Sequence, residues 1–153
     1  AKKKTLILRN PQSTRPWQHV LEPLSGYLEL ACKLSYENST LHGEAFNFGP
    51  SSDQSYSVKH LIKEMSKHWN GAEWEDKNNK YKSFYESGLL KLNCDKALAL
   101  LNWKPTLNFE QTVELTTIWY KKFYTKSSSK INNITFEQIE WFEKFRNEKG
   151  KGV

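Results

Sequence analysis

Seven apolar positions, Val20, Leu21, Leu24, Tyr27, Leu28, Ala31 and Leu34, recur at steps of three and four. That period predicts an amphipathic helix, with Pro23 tolerated in its first turn. Ahead of it, Thr5-Leu6-Ile7-Leu8 reads as a strand closed by Asn10-Pro11, and Thr14-Arg15-Pro16-Trp17 as an extended segment, since a residue before proline avoids the helical region. Ala45-Phe46-Asn47-Phe48 before Gly49-Pro50 reads as another short strand. Ser57 opens a second helix through Val58, Leu61, Ile62, Met65 and Trp69, ending at Asn70-Gly71. Residues 73–83 show no clear period, and Leu89-Leu90-Lys91-Leu92 reads as extended.

Asn93 is placed to cap a short helix over Asp95–Leu101, whose first acidic residue suits the N-terminal dipole. Asn108 caps the next helix, with Val113, Thr117, Tyr120 and Tyr124 on one face. Residues 127–134 have the composition of a linker. Thr135-Phe136-Glu137-Gln138 matches a capping box and predicts a C-terminal helix over 135–148, with Phe136, Ile139, Phe142 and Phe145 inward. The pattern predicts a mixed α/β fold of four or five helices on a few short strands.

Composition narrows the function classes. Of 153 residues, 37% are hydrophobic and 14% aromatic, so the core must rest on large rings. The absence of an 18-residue apolar run argues against a membrane span, and the apolar part of the N-terminus is too short for a secretion signal. Two cysteines 62 positions apart imply no disulfide framework, making the cytoplasm the expected location. Net charge is +6, which favours anionic partners, but residues 1–110 and 111–153 each carry +3 and no block of five like charges occurs.

Catalytic signatures are missing. The seven glycines form no phosphate-cradling loop, the four histidines show no paired metal spacing, and no tyrosine is followed four positions on by lysine. The informative stretch is Thr14-Arg15-Pro16-Trp17-Gln18-His19-Val20. An arginine just before a helix offers a planar cation suited to a diphosphate, and Trp17 offers a stacking face. A structural reading is also open, with Arg15 paired to a surface carboxylate and Trp17 in the core. Cys32 and Cys94 read as inert thiols, and Trp69, Trp74, Trp103 and Trp119 as core.

Residues 9–28, beginning Arg-Asn-Pro-Gln-Ser-Thr-Arg-Pro-Trp-Gln-His-Val, resemble the segment that opens the substrate lobe of CDP-glucose 4,6-dehydratases, members of the extended short-chain dehydrogenase/reductase superfamily. Ala45–Pro50 is similar to the strand returning to the dinucleotide-binding sheet of that family. Tyr85–Asn93 resembles the segment before the penultimate helix, and Leu101-Asn102-Trp103-Lys104-Pro105 the closing signature. The likeness covers residues 5–125. It implies a helix-rich C-terminal lobe lacking the Rossmann half, with 1–126 as the sugar-nucleotide-binding lobe.

The resemblance implies that Arg15 holds the nucleotide diphosphate, that Leu8 and Arg9 border the base, and that Tyr85 and Glu86 lie near the substrate. Trp17 joins this substrate-binding set, and no catalytic, cofactor or metal residue is expected on the chain. Asn93 stands where aspartate is common, and Asn102 where glycine is usual. Family chemistry passes hydride from sugar C4 to NAD, eliminates water across C5–C6 and returns hydride at C6. NAD then belongs to an N-terminal Rossmann half, and the 153 residues alone are expected to be inactive. Expected partners are a CDP-sugar and that half, with a homodimer or segment swap through uncovered apolar surface, and neither nucleic acid nor membrane. Another dehydratase or epimerase of the superfamily, or a basic nucleic-acid-binding module, are the competing readings.

Overall fold

The computed structural model describes residues 5–37, 39–69, 74–76, 88–125 and 131–150. Among them, four short strands and five helices follow one another: β1 Leu6–Leu8, β2 Thr14–Arg15, α1 Leu21–Leu34, β3 Tyr56–Ser57, α2 Val58–His68, β4 Trp74–Asp76, α3 Asp95–Leu101, α4 Phe109–Thr125 and α5 Ile131–Gly150. The strands form two ribbons. β1 pairs in parallel with β4, Leu6 opposite Trp74, and β2 pairs antiparallel with β3, Thr14 opposite Ser57. α2 packs on α4, α4 on α5, and α1 on α3.

Several local signals act where the sequence places them. Ser57 Oγ accepts from the His60 N–H, and α2 starts there. Asn108 and Gln111 cap reciprocally: Asn108 Oδ1 accepts from Gln111 N at 2.8 Å, and Gln111 Oε1 from Asn108 N at 3.0 Å. Asn93 Oδ1 accepts from Asp95 N at 2.9 Å, although the cap position itself is Cys94. Asn102 ends α3 at φ 55°, the left-handed conformation that asparagine tolerates.

Other expectations are corrected. Residues 45–48 form no strand, having no ladder partner among the described residues, yet Phe48 is buried with Trp103, Leu101 and Ala97. Residues 89–92, read as extended, lie in neither a helix nor a ladder among the described residues. Trp74–Asp76, in a stretch without period, is the strand that pairs with β1. α5 begins at Ile131, inside the stretch expected as a linker. Thr135 therefore lies one turn into the helix, its hydroxyl donating to Ile131 O at 2.9 Å, and it caps nothing. That earlier start brings Ile134, Gln138 and Phe142 inward and leaves Phe136 64% exposed. Tyr120 and Tyr124 of α4 are exposed too, while Val113 and Thr117 are buried.

The largest correction concerns α1. The helix forms, but its apolar stripe faces outward: Val20, immediately before the first turn, is 62% exposed and Leu28 69%, with Leu24, Tyr27 and Ala31 also exposed. Its buried residues are Glu22, Ser25 and Gly26. Glu22, 2% exposed, accepts from Thr106 N at 2.9 Å and Leu107 N at 2.6 Å, and Ser25 Oγ accepts from Trp103 Nε1 at 2.9 Å. Gly26 is required where α1 meets Phe48. A Cβ there would lie 2.3 Å from the Phe48 ring.

Candidate functional site

The segment from Asn10 to His19 is held on three sides by backbone. A turn closes with Ser13 N donating to Asn10 O at 3.2 Å, and the Ser13 and Pro11 carbonyls accept from the first N–H groups of α2, Val58 and Lys59. Thr14 N donates to Gly88 O at 2.9 Å while β2 pairs with β3. This anchoring presents Arg15 and Trp17 in a defined register.

Arg15 is half-buried, and its Nη1 donates to Thr14 O at 2.7 Å. Guanidinium carries five donors, and this bond helps to orient the group. Trp17 is also half-buried, with Nε1 donating to Tyr56 O at 2.8 Å, and Tyr56 stacks on Phe109 at 3.8 Å. The indole is thereby fixed to the β2–β3 ribbon and through it to α4. Gln18 Nε2 donates to Phe48 O at 3.0 Å, tying the segment to the core. His19 is buried, and desolvation holds its pKa below the ordinary 6.5.

Among the other candidate residues, Leu8 is buried at 5% exposure as part of the core, and Arg9 beside it is exposed. Tyr85 and Glu86 lie outside the described residues. A small hollow of about 10 Å³ borders the segment through Pro16, Pro50, Gln54 and Leu92, too small for a sugar. Of two larger hollows, one of about 420 Å³ is lined by Gln18 and His19 at the end of the segment and one of about 570 Å³ lies between Glu29, Lys104 and α5, and Arg15 lines neither. Among the described residues, the segment thus supplies an anchored cation and a fixed indole.

Sequence reasoning missed Glu22. Burial raises the pKa of this carboxyl, against the lowering effect of the Leu107 and Thr106 amides and of Arg146 and Lys149 on α5. A Glu in the first turn of a helix reads as a dipole partner, and no local signal marks the N–H donors it meets 84 and 85 residues away. Cys94 is only partly exposed, and burial raises its thiol pKa, as suits an inert side chain. Among the described residues, no cluster of three His, Cys, Asp or Glu is placed to hold a metal ion, and no helix is long and apolar enough to cross a membrane.

With this geometry in hand, the chain compares as follows. It is 38% identical over 119 residues to CDP-glucose 4,6-dehydratase of Salmonella typhimurium (strain LT2), a match covering 76% of the chain and 32% of that enzyme. Its fold matches the crystal structure of UDP-glucuronic acid 4-epimerase from Bacillus cereus, solved in complex with UDP-glucuronic acid and NAD, with a TM-score of 0.64 and 21% identity over 80% of the chain and 37% of that structure. The two matches fit a C-terminal lobe of an extended short-chain dehydrogenase/reductase. No protein-family model matches the chain. The chain spans about a third of the length of the curated relative. The helix-rich lobe with few short strands expected from the sequence is the fold observed.

Proposed function

We propose that this chain is the nucleotide-sugar-binding lobe of an NAD-dependent 4,6-dehydratase, a lyase acting on CDP-glucose in deoxysugar biosynthesis. The observation that carries this reading is the 38% identity to CDP-glucose 4,6-dehydratase. The anchored Arg15–Trp17 segment supports it from the structure. In this reading Arg15 holds the diphosphate, Trp17 shapes the nucleotide side, and Arg9, with the Leu8 backbone, borders the base. Tyr85 and Glu86 are assigned near the substrate by the family resemblance alone. The Leu8 side chain is a packing element rather than a contact, since it is buried.

NAD, which accepts and returns the hydride in the whole enzyme, is assigned to an N-terminal Rossmann half. The sequence given has no glycine-rich phosphate loop and no Tyr-x-x-x-Lys pair to hold or use it. The outward apolar stripe of α1 supports the companion half as a partner. A helix whose polar side is bonded inward and whose leucines face out is covered on both sides in its working assembly. Residues 1–126 form the lobe and α5 its C-terminal addition. The working location is the cytoplasm, and the lobe alone turns nothing over.

Titration with CDP-glucose tests the reading, with Trp17 fluorescence isolated by subtracting a Trp17→Phe variant. A saturable change is expected. Arg15→Ala should weaken binding about tenfold, the scale of one lost charged hydrogen bond. A single-stranded oligonucleotide should compete poorly. Absence of a response to CDP-glucose, or equal affinity in a folded Arg15→Ala variant, overturns the assignment.

A further inference from the structure

The β2–β3 ribbon that presents Arg15 is only two residue pairs long, Thr14 opposite Ser57 and Arg15 opposite Tyr56. A two-stranded ribbon is marginal on its own, and one this short depends on side-chain packing to stay in register. Tyr56 is where that packing enters. It stands opposite Arg15 in the ladder, and its carbonyl accepts from Trp17 Nε1 at 2.8 Å. Its half-buried ring lies on Phe109 at 3.8 Å, with the two planes 11° apart. One residue therefore registers both Arg15 and Trp17, and its ring ties it to a helix.

The other half of the stack is held by separate bonds. Phe109 is the first residue of α4 and is 3% exposed. The reciprocal cap between Asn108 and Gln111 fixes where that helix starts. Immediately before the cap, Glu22 accepts from Thr106 N and Leu107 N. These bonds set the Phe109 backbone and involve neither strand of the ribbon. In the stack, Phe109 is thus the fixed ring and Tyr56 the ring that it holds. An aromatic pair is worth roughly two- to twelvefold in an equilibrium beyond the area that it buries.

We propose that Phe109 is a positioning residue of the nucleotide-sugar site. Buried itself, it acts through the Tyr56 ring, setting the Trp17 indole and the Arg15 backbone before ligand arrives. The inference rests on the reading of Arg15 and Trp17 given above and extends that site to the start of α4.

Two measurements on the whole chain test it. Calorimetric titration with CDP-glucose gives affinity, and proton–nitrogen NMR gives the exchange rate of the Trp17 indole N–H, assigned by its loss in Trp17→Phe. Phe109→Leu and Tyr56→Leu should each weaken CDP-glucose binding about fivefold, and the double variant no more than either alone, since both break one stack. Tyr56→Phe keeps the ring and should bind as the wild type does. In the unliganded Leu variants the Trp17 N–H should exchange about fivefold faster. The Trp119 N–H, bonded to Thr135 at 2.9 Å and assigned by its loss in Trp119→Phe, should keep its rate. A merely structural Phe109 would move both indoles. Tyr56 is only half-buried, so Tyr56→Leu carries the comparison should Phe109→Leu not fold. Equal acceleration at the two indoles, or undiminished affinity in a folded Leu variant, overturns the positioning role while the Arg15 reading stands. Failure of the wild-type chain to bind CDP-glucose removes that reading and this inference with it.

Discussion

α1 and α2 carry similar apolar spacing but use it in opposite ways. α2 behaves conventionally: Ile62 is buried, Leu61 and Met65 are half-buried, and Lys63 and Lys67 are exposed. α1 turns Glu22, Ser25 and Gly26 inward and Val20, Leu24 and Leu28 outward. The difference lies in what each polar side chain finds. Glu22 meets two backbone N–H groups that have no other acceptor among the described residues, and Ser25 meets an indole N–H, so burying them satisfies groups on both sides. The lysines of α2 meet no such partners in the core, and hydration keeps them out. Hydrophobic periodicity thus establishes that a helix forms, while the hydrogen-bonding needs of distant backbone decide which side it buries.

Substitutions on the two helices sharpen this contrast. Glu22→Ala should have the largest effect, because it strands the Thr106 and Leu107 N–H groups in the interior. At roughly 1–3 kcal/mol for each orphaned group, about 4 kcal/mol of stability should be lost in urea denaturation. Ile62→Ala should follow at about 3 kcal/mol, the range for a buried aliphatic truncation. A Glu22→Ala variant as stable as wild type would mean that the inward face of α1 is not held by these bonds.

The pH dependence of stability separates two groups of opposite sign. His19 has a folded pKa below the ordinary 6.5. Its contribution is therefore complete above 6.5 and is lost as pH falls through the lower folded value. Glu22 has a folded pKa raised above the ordinary 4.5, so its contribution is complete below 4.5 and declines as pH rises through the raised value. Thermal melts of a His19→Phe variant should lack the rise in stability with pH just below 6.5 that the wild-type chain shows. A slope unchanged by the substitution would assign that rise elsewhere.

The smallest stability effect should come from the outward stripe. Leu28→Glu should change the unfolding free energy by no more than about 0.5 kcal/mol, as for an ordinary surface site. Its consequence should appear in association instead: sedimentation at high concentration should show less self-association than wild type. A cost like that of Ile62→Ala would place Leu28 in a contact of the isolated lobe and remove the contrast with α2.

Parts of the candidate site were legible in the sequence for a local reason. Arg15 precedes proline, so its extended backbone follows from sterics between adjacent residues, and it pairs as β2. Ser57 and Asn108 cap their helices because a short polar side chain reaches an N–H only three positions on. The same local pattern misled at Thr135–Gln138. There the hydroxyl and the amide answer instead to Trp119 and Leu115 across the helix interface. Leu8 illustrates the limit at the site, since its place beside a substrate came from resemblance and its burial only from packing.

What the sequence by itself determined are the presence of the helices, the caps at Ser57 and Asn108, the left-handed turn at Asn102 and the extended approach to α1. Each is a matter of bonds and clashes spanning a few residues. Only the tertiary structure decided the facing of α1, the pairing of Trp74–Asp76 with β1, and the bond from Trp119 of α4 to Thr135 of α5. Those depend on groups far apart along the chain, whose unmet hydrogen bonds and ring faces become neighbours only once the helices have packed.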